Sequence, residues 1–248
     1  MTKEWFATWF DSPYYHLLYN NRDENEARKF IENLVEHLVL PQNSDVLDLA
    51  CGKGRHAKML NENGFNVLGV DLSPNSITSA LELKTNGLDF QVHDMREVIE
   101  NRKFDAVFNL FTSFGYFDDE SENLKMLNAI HTMLNNEGIL VIDFMNASKV
   151  IENLVSEEAK IVEDVEFKIS RRFDEKHIFK DIRFKDGENS MHYTERVQVI
   201  KLNDFEKLLS LSNFEILSRF GDFELNDFDE KSSDRLIIIA QNISKVST

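Results

Sequence analysis

The segment Val46-Leu47-Asp48-Leu49-Ala50-Cys51-Gly52-Lys53-Gly54-Arg55-His56 constrains the fold of this chain more than any other stretch. An apolar run ends at an acid, passes through a glycine-rich turn and opens a helical pattern. A strand followed at once by such a turn sets the backbone amides of a helix start against a bound nucleotide, and glycine removes Cβ atoms where the ligand lies closest. A second apolar run, Val67-Leu68-Gly69-Val70, ends at Asp71, 19 residues beyond Gly52. Doubly wound folds place at about that distance the acid that accepts ribose hydroxyls.

Two cofactor classes fit this arrangement: a nicotinamide or flavin dinucleotide, and S-adenosylmethionine. Gly52-x-Gly54-x-x-Ala57 satisfies the dinucleotide pattern as written. Asp48 argues against it, because a carboxylate beside the turn repels a doubly anionic pyrophosphate and attracts the ammonium and sulfonium of S-adenosylmethionine. Burying an acid between Leu47 and Leu49 is costly without a donor or cation to meet it. The motif Asp48-Leu49-Ala50-Cys51-Gly52-Lys53-Gly54 resembles the first motif of class I S-adenosylmethionine-dependent methyltransferases, with Ala50 where many members carry glycine. Val70-Asp71-Leu72-Ser73-Pro74 resembles their second motif, and His93-Asp94-Met95-Arg96 their third. Phe104 to Leu110 resembles the fourth strand, and Asn135 to Ile142 the turn and strand that follow. The resemblance covers residues 30 to 150 well and is weaker beyond.

That resemblance implies a cofactor site built from Asp48, Ala50, Cys51, Gly52, Gly54, Asp71, Leu72, Asp94, Met95, Asn109 and Leu110. Asp94 would meet the adenine amino group and Met95 its ring, although an acid here reads equally well as a helix start. Cys51 reads as a small loop filler and His56 as structural. Asn109, Leu110, Phe111 and Ser113 would shape the methyl-transfer end.

Strand and helix signals alternate along the chain. A helical stripe from Glu24 to Leu38 stops before Pro41. Strands are expected near 45–49, 66–71, 88–93, 104–110 and 138–145, with helices near 55–63, 74–86 and 120–134, and Ser73 and Asp119 as N-caps. This order predicts an α/β fold, a doubly wound, mostly parallel, Rossmann-like sheet whose strand tips collect Asp48, Asp71, Asp94 and Asn109. After residue 150 three alternating strands are expected, at 161–172, 177–185 and 190–200, with a turn at Asp186-Gly187. A helix at 203–212 and strands at 214–221 and 235–241 would complete the seven strands that the resemblance implies. The predicted organisation is a single domain over 1–248: an N-terminal aromatic lid (1–40), a cofactor core (41–150), an antiparallel insertion (151–201) capping the active edge, and a C-terminal helix and strands (202–248).

Trp5, Phe6, Trp9, Phe10, Tyr14, Tyr15 and Tyr19 crowd the N-terminal segment. Such rings commonly pack a helix onto a core. The sharper reading is a lid whose Tyr15 or Tyr19 faces the cofactor sulfonium, since aromatic faces attract cations.

With 44 acids against 28 bases and a net charge of −16, the chain lacks the basic footprint of a nucleic-acid binder. No apolar stretch approaches the roughly 20 residues that span a bilayer, no signal-peptide run opens the chain, and no membrane partner is expected. The single cysteine, Cys51, excludes an intrachain disulfide and a cysteine-built zinc site, and no metal is expected; a cytoplasmic setting fits. The sequence therefore reads as a methyltransferase acting on nitrogen or oxygen of a small molecule. The alternatives are a dinucleotide oxidoreductase and a non-catalytic S-adenosylmethionine-binding regulator. Where the acceptor needs deprotonation, His16, Tyr116, His192 and Tyr193 are the candidate groups.

Overall fold

The computed structural model describes residues 4–19, 24–110 and 113–243; Phe111 lies outside them, as do the first three residues of the expected lid, its residues 20–23 and the last five of the chain. The main sheet has seven strands: β1 (Asp45–Leu49), β2 (Asn66–Asp71), β3 (Leu88–Val92), β4 (Phe104–Asn109), β5 (Leu134–Met145), β10 (Phe214–Phe220) and β11 (Arg235–Asn242). Their spatial order is β10-β11-β5-β4-β1-β2-β3. β1 to β5 run parallel, and β11 enters antiparallel between β5 and β10. The order reverses between β1 and β4, which is where open α/β sheets leave a crevice at the carboxyl ends of the strands.

The sequence explains both faces. Mostly apolar β1 and β4 interiors, interrupted by Asp48 and Asp105, suit strands covered on both sides. One face is packed by α3 (Glu24–Leu38), α4 (Arg55–Glu62) and α5 (Pro74–Ala80), through Phe30, Ile31, Leu34, Leu60 and Ile77. The other is packed by α6 (Glu120–Met133) and α8 (Leu202–Leu211), through Met126, Ile130, Phe205 and Leu209. Ser73 and Asp119 cap α5 and α6 through their side chains, as their residue types dictate. A short α7 (Ala147–Glu152), which the periodicity did not announce, follows β5.

The insertion is a four-stranded antiparallel sheet, not a three-stranded one: β6 (Glu157–Val162), β7 (Val165–Phe173), β8 (His177–Asp186) and β9 (Asn189–Gln198). The strand expected at 161–172 is broken by a two-residue turn at Glu163-Asp164, with Val162 paired to Val165 and Glu163 left-handed at φ 52°. Neither turn residue is the asparagine or glycine that normally marks a two-residue reversal, and Asp164 alone is a weak local signal for it.

The inner face of this second sheet carries Phe167, Ile169, Ile182 and Phe184. The N-terminal helices α1 (Trp5–Trp9) and α2 (Pro13–Leu18) cover it, with Trp9 and Leu18 almost fully buried there. Phe6 turns the other way and packs edge-on against Phe117 in the core beneath the main sheet. The aromatic segment thus joins the two sheets.

Candidate active site

A cavity of about 450 Å³ opens at the carboxyl ends of β1, β2 and β4. Its floor is the turn after β1, where Ala50, Cys51 and Gly52 line it together with Asp71 and Leu72 from the end of β2, Asp94 and Met95 after β3, and Leu110 after β4. Phe10, Tyr15, His16 and Tyr19 close it from the N-terminal segment, and Ser113, Tyr116 and Phe117 from the loop after β4.

The turn is held in the conformation its glycines permit. Gly52 and Gly54 are left-handed at φ 57° and 82°, and Ala50 shares that region at φ 63° although it bears a side chain. A Cβ on Gly52 would meet no atom within 4 Å, so the turn faces open space at that point. Gly54 does something else: it is absent from the cavity wall, and a Cβ there would lie 2.6 Å from the Phe90 ring. Its smallness serves the packing of α4 on the sheet.

Asp71 and Asp48 divide the roles expected of both. Asp71 lines the cavity; its Oδ2 accepts the Gly52 amide at 2.9 Å and its Oδ1 the Ser73 amide at 2.8 Å. Burial pushes its carboxyl above the usual range while these amides oppose the shift. Asp48 sits beneath the turn rather than in the wall, 1% exposed, with Oδ2 lacking a hydrogen-bond partner. Burial raises its carboxyl to about 7, against the pull of the Ala57 amide. Asn109 is likewise buried below the wall, donating from Nδ2 to the Leu49 carbonyl at 3.0 Å, with its Oδ1 unpartnered.

Asp94 reaches the cavity already engaged. Arg96 donates to it from Nε and Nη2, at 2.9 and 2.6 Å, and also reaches Glu4 and Glu122. Burial alone would raise the Asp94 carboxyl; the Arg96 bonds outweigh it and hold the group low. The sequence reading missed Arg96, whose only local signal is its place two residues after an acid.

Of the proton-transfer candidates, His16 and Tyr116 stand in the cavity wall and His192 and Tyr193 do not. The β9 register turns His192 outward to Asp181 at 3.0 Å, and Tyr193 inward onto Trp9, with ring centroids 4.4 Å apart. His56, set aside as structural, lines the cavity beside Arg55, whose Nη2 lies 3.1 Å from its Nε2. Burial raises the Cys51 thiol strongly, so it is a filler of the turn rather than a nucleophile.

An open α/β sheet with a glycine turn and an acid-tipped neighbouring strand at its reversal point defines a nucleotide-cofactor-binding protein. Within that class the chain belongs to the methyltransferase-domain family, whose pattern matches residues 40–209. It is 28% identical over 252 residues to a Bacillus subtilis chain named as a methyltransferase, YqeM, an alignment covering 97% of each. It is 33% identical over 142 residues to a glycine/sarcosine N-methyltransferase of Parasynechococcus marenigrum, covering 54% of this chain and 48% of that one. The crystal structure of an S-adenosylmethionine-dependent methyltransferase from Clostridium acetobutylicum shares the fold at a TM-score of 0.79, covering 93% of this chain and 96% of the other at 23% identity. S-adenosylmethionine is accordingly the cofactor, and the dinucleotide reading falls away. Among the described residues no helix is long and apolar enough to cross a membrane.

Proposed function

We propose that the chain transfers a methyl group from S-adenosylmethionine to a nitrogen or oxygen of a small molecule bound in this cavity, with an amine favoured. The observation that carries this reading is a single cavity joining two chemistries: the turn of Ala50 to Gly52 with Asp71, and the aromatic residues Phe10, Tyr15, Tyr19 and Tyr116. The residues fit the cofactor. Gly52 opens onto free space, Asp71 offers carboxylate oxygens where ribose hydroxyls would lie, and Leu72 and Met95 supply apolar flanks for adenine. The unpartnered Oδ2 of Asp48 lies beneath the turn, where the cofactor's ammonium would compensate it through space. A glycine/sarcosine N-methyltransferase among the relatives favours an amine acceptor.

The bound cofactor supplies a methyl group already activated by a sulfonium. The chain's own contribution is to align the acceptor's lone pair behind that methyl and to keep water out, which the aromatic wall is suited to do. His16 and Tyr116 are the wall groups able to take a proton from an acceptor that arrives charged or as a hydroxyl. In this reading residues 41–150 hold the cofactor, 1–40 supply both the aromatic segment that closes over the cavity and α3 on the main sheet, 151–201 form the insertion that packs on that segment, and 202–248 complete the sheet. We also assign the protein to the cytoplasm, where its one buried thiol needs no partner.

The net charge of −16 opposes a polyanionic substrate, and six acids against Lys231 in residues 222–234 add to that field. Incubation with methyl-labelled cofactor and separate pools of metabolites, protein and nucleic acid at low salt tests the reading. Label is expected in the metabolite pool. Transfer to nucleic acid alone would sink the small-molecule assignment, and saturable cofactor binding with no transfer to any pool would favour a regulator.

A further inference from the structure

The second sheet buries a charged pair on its apolar face. Along β8, Lys180 shares the inward side with Ile178, Ile182 and Phe184, and along β9 Glu195 shares it with Tyr193 and Val197. The register sets Lys180 directly opposite Glu195. Their side chains are 18% and 14% exposed, with Lys180 Nζ 3.9 Å from Glu195 Oε2. Charges seldom occupy such positions unless each is met by partners. Here the partners come from the N-terminal segment. The indole Nε1 of Trp9, at the end of α1, donates to Glu195 Oε1 at 2.7 Å. The Tyr19 hydroxyl, just after α2, donates to the same carboxylate at 2.7 and 2.9 Å, and accepts from Lys180 Nζ at 2.5 Å.

We propose that Glu195 is a positioning residue that latches the aromatic N-terminal segment over the cofactor cavity, binding the C-terminal ends of both α1 and α2 with one carboxylate. Tyr19 lines the cavity and holds its hydroxyl in the latch, so one side chain joins the latch to the wall. Phe10 and Tyr15, which also line the cavity, lie between the two latched residues in the chain. Apolar contacts between Trp9, Leu18 and the second sheet supply adhesion without fixing an orientation, whereas the carboxylate requires both donors at once. Of the segment's other polar ties, those from Asp11 to Ser73 and Asn75 and from Glu4 to Arg96 fasten it to the main-sheet side, and Lys160 Nζ of β6 donates to the Leu18 carbonyl at 3.1 Å, a backbone tie that leaves the aromatic side chains free to turn. The Glu4 side chain is 45% exposed, and such a pair contributes little. Opening for cofactor entry and product release then means parting Tyr19 and Trp9 from Glu195. This inference rests on the cavity being the cofactor site.

The chain carries its own probe, because its only two tryptophans are Trp5 and Trp9, both in this segment. The test measures acrylamide quenching of tryptophan emission in the ligand-free enzyme and the stopped-flow release rate of S-adenosylhomocysteine, for wild type, E195A and Y19F. E195A is expected to increase quenching and to accelerate release about tenfold, the loss of a charge-assisted hydrogen bond; Y19F, which keeps the ring, falls between. E195A strands Lys180 in an apolar face, so the paired variant K180M/E195L provides a folded control with the same predicted release. Quenching and release at wild-type values in these variants would overturn the latch. If the wild type itself fails to bind S-adenosylhomocysteine, the cofactor reading fails and this proposal with it as written; increased quenching in E195A would then show only that Glu195 holds the segment.

Discussion

Asp71 Oδ2 accepts the backbone amide of Gly52 at 2.9 Å, so the acid at the tip of β2 braces the glycine turn that follows β1. Two motifs that lie in separate strands are thereby one object. The carboxylate is oriented by the Gly52 and Ser73 amides before any ligand arrives, which spares the cofactor the cost of ordering it.

Asp71→Asn is expected to weaken S-adenosylmethionine binding by about 2 kcal/mol, because the ribose hydroxyls lose a charged acceptor while the side chain keeps its size. Calorimetric titration measures it. Unchanged affinity in the folded variant would remove Asp71 from the site.

Stability of the ligand-free enzyme should carry the signature of Asp48. Its carboxyl titrates at about 7 in the fold against 3.8 for the free group. A carboxyl raised in this way holds its proton in the folded state across that interval and has lost it in the unfolded one. Its influence on stability therefore falls as pH rises from 3.8 to about 7 and is level above. Asp48→Asn should flatten that interval in denaturant midpoints taken across pH. An unaltered slope would mean that other groups carry it. An ammonium held near Oδ2 favours the ionised form, so cofactor binding just below pH 7 should release a proton, seen as an enthalpy that depends on the buffer.

Ala50→Gly should stabilise the ligand-free protein by roughly 0.5–1 kcal/mol, because a left-handed alanine costs more than the added freedom of glycine in the unfolded chain. Ala50 sits at φ 63°. Urea unfolding decides the sign, and a destabilised variant would show that the methyl makes contacts worth more than the strain.

Gly69→Ala would place a Cβ 2.5 Å from the Phe90 ring and 3.1 Å from the Cys51 sulfur. Overpacking of this kind costs about 1–3 kcal/mol. Phe90→Leu in the same background should recover part of the loss, and a double-mutant cycle reads the coupling. Strictly additive effects would place the clash elsewhere.

Much of this architecture is written locally. Val46 to Leu49, apart from Asp48, and Val67 to Val70 lack polar side chains because their strands are covered on both faces, and Ser73 and Asp119 announce the helix starts they cap. Such features depend on the period of a strand or the unpaired amides of a helix end, and both are properties of consecutive residues. The sequence likewise supplied the acids at the strand tips and, through the order of its motifs, the family.

Which side chains meet was decided by tertiary packing. Asp71 and Asp94 reach the cavity while Asp48 and Asn109 lie beneath it: the register sets Asp48 beside Gly69 and Phe108, two residues short of Asp71 and one short of Asn109. His192 and Tyr193 lie on opposite sides of β9, and the side that faces inward delivers Tyr193 to Trp9 rather than to the cavity. Trp9 and Glu195 are 186 residues apart and Tyr19 and Glu195 176 apart, so nothing in a local window links them. Apolar periodicity fixes which face of an element is buried; what that face is buried against follows from the docking of the second sheet on the N-terminal helices, which only the folded chain specifies.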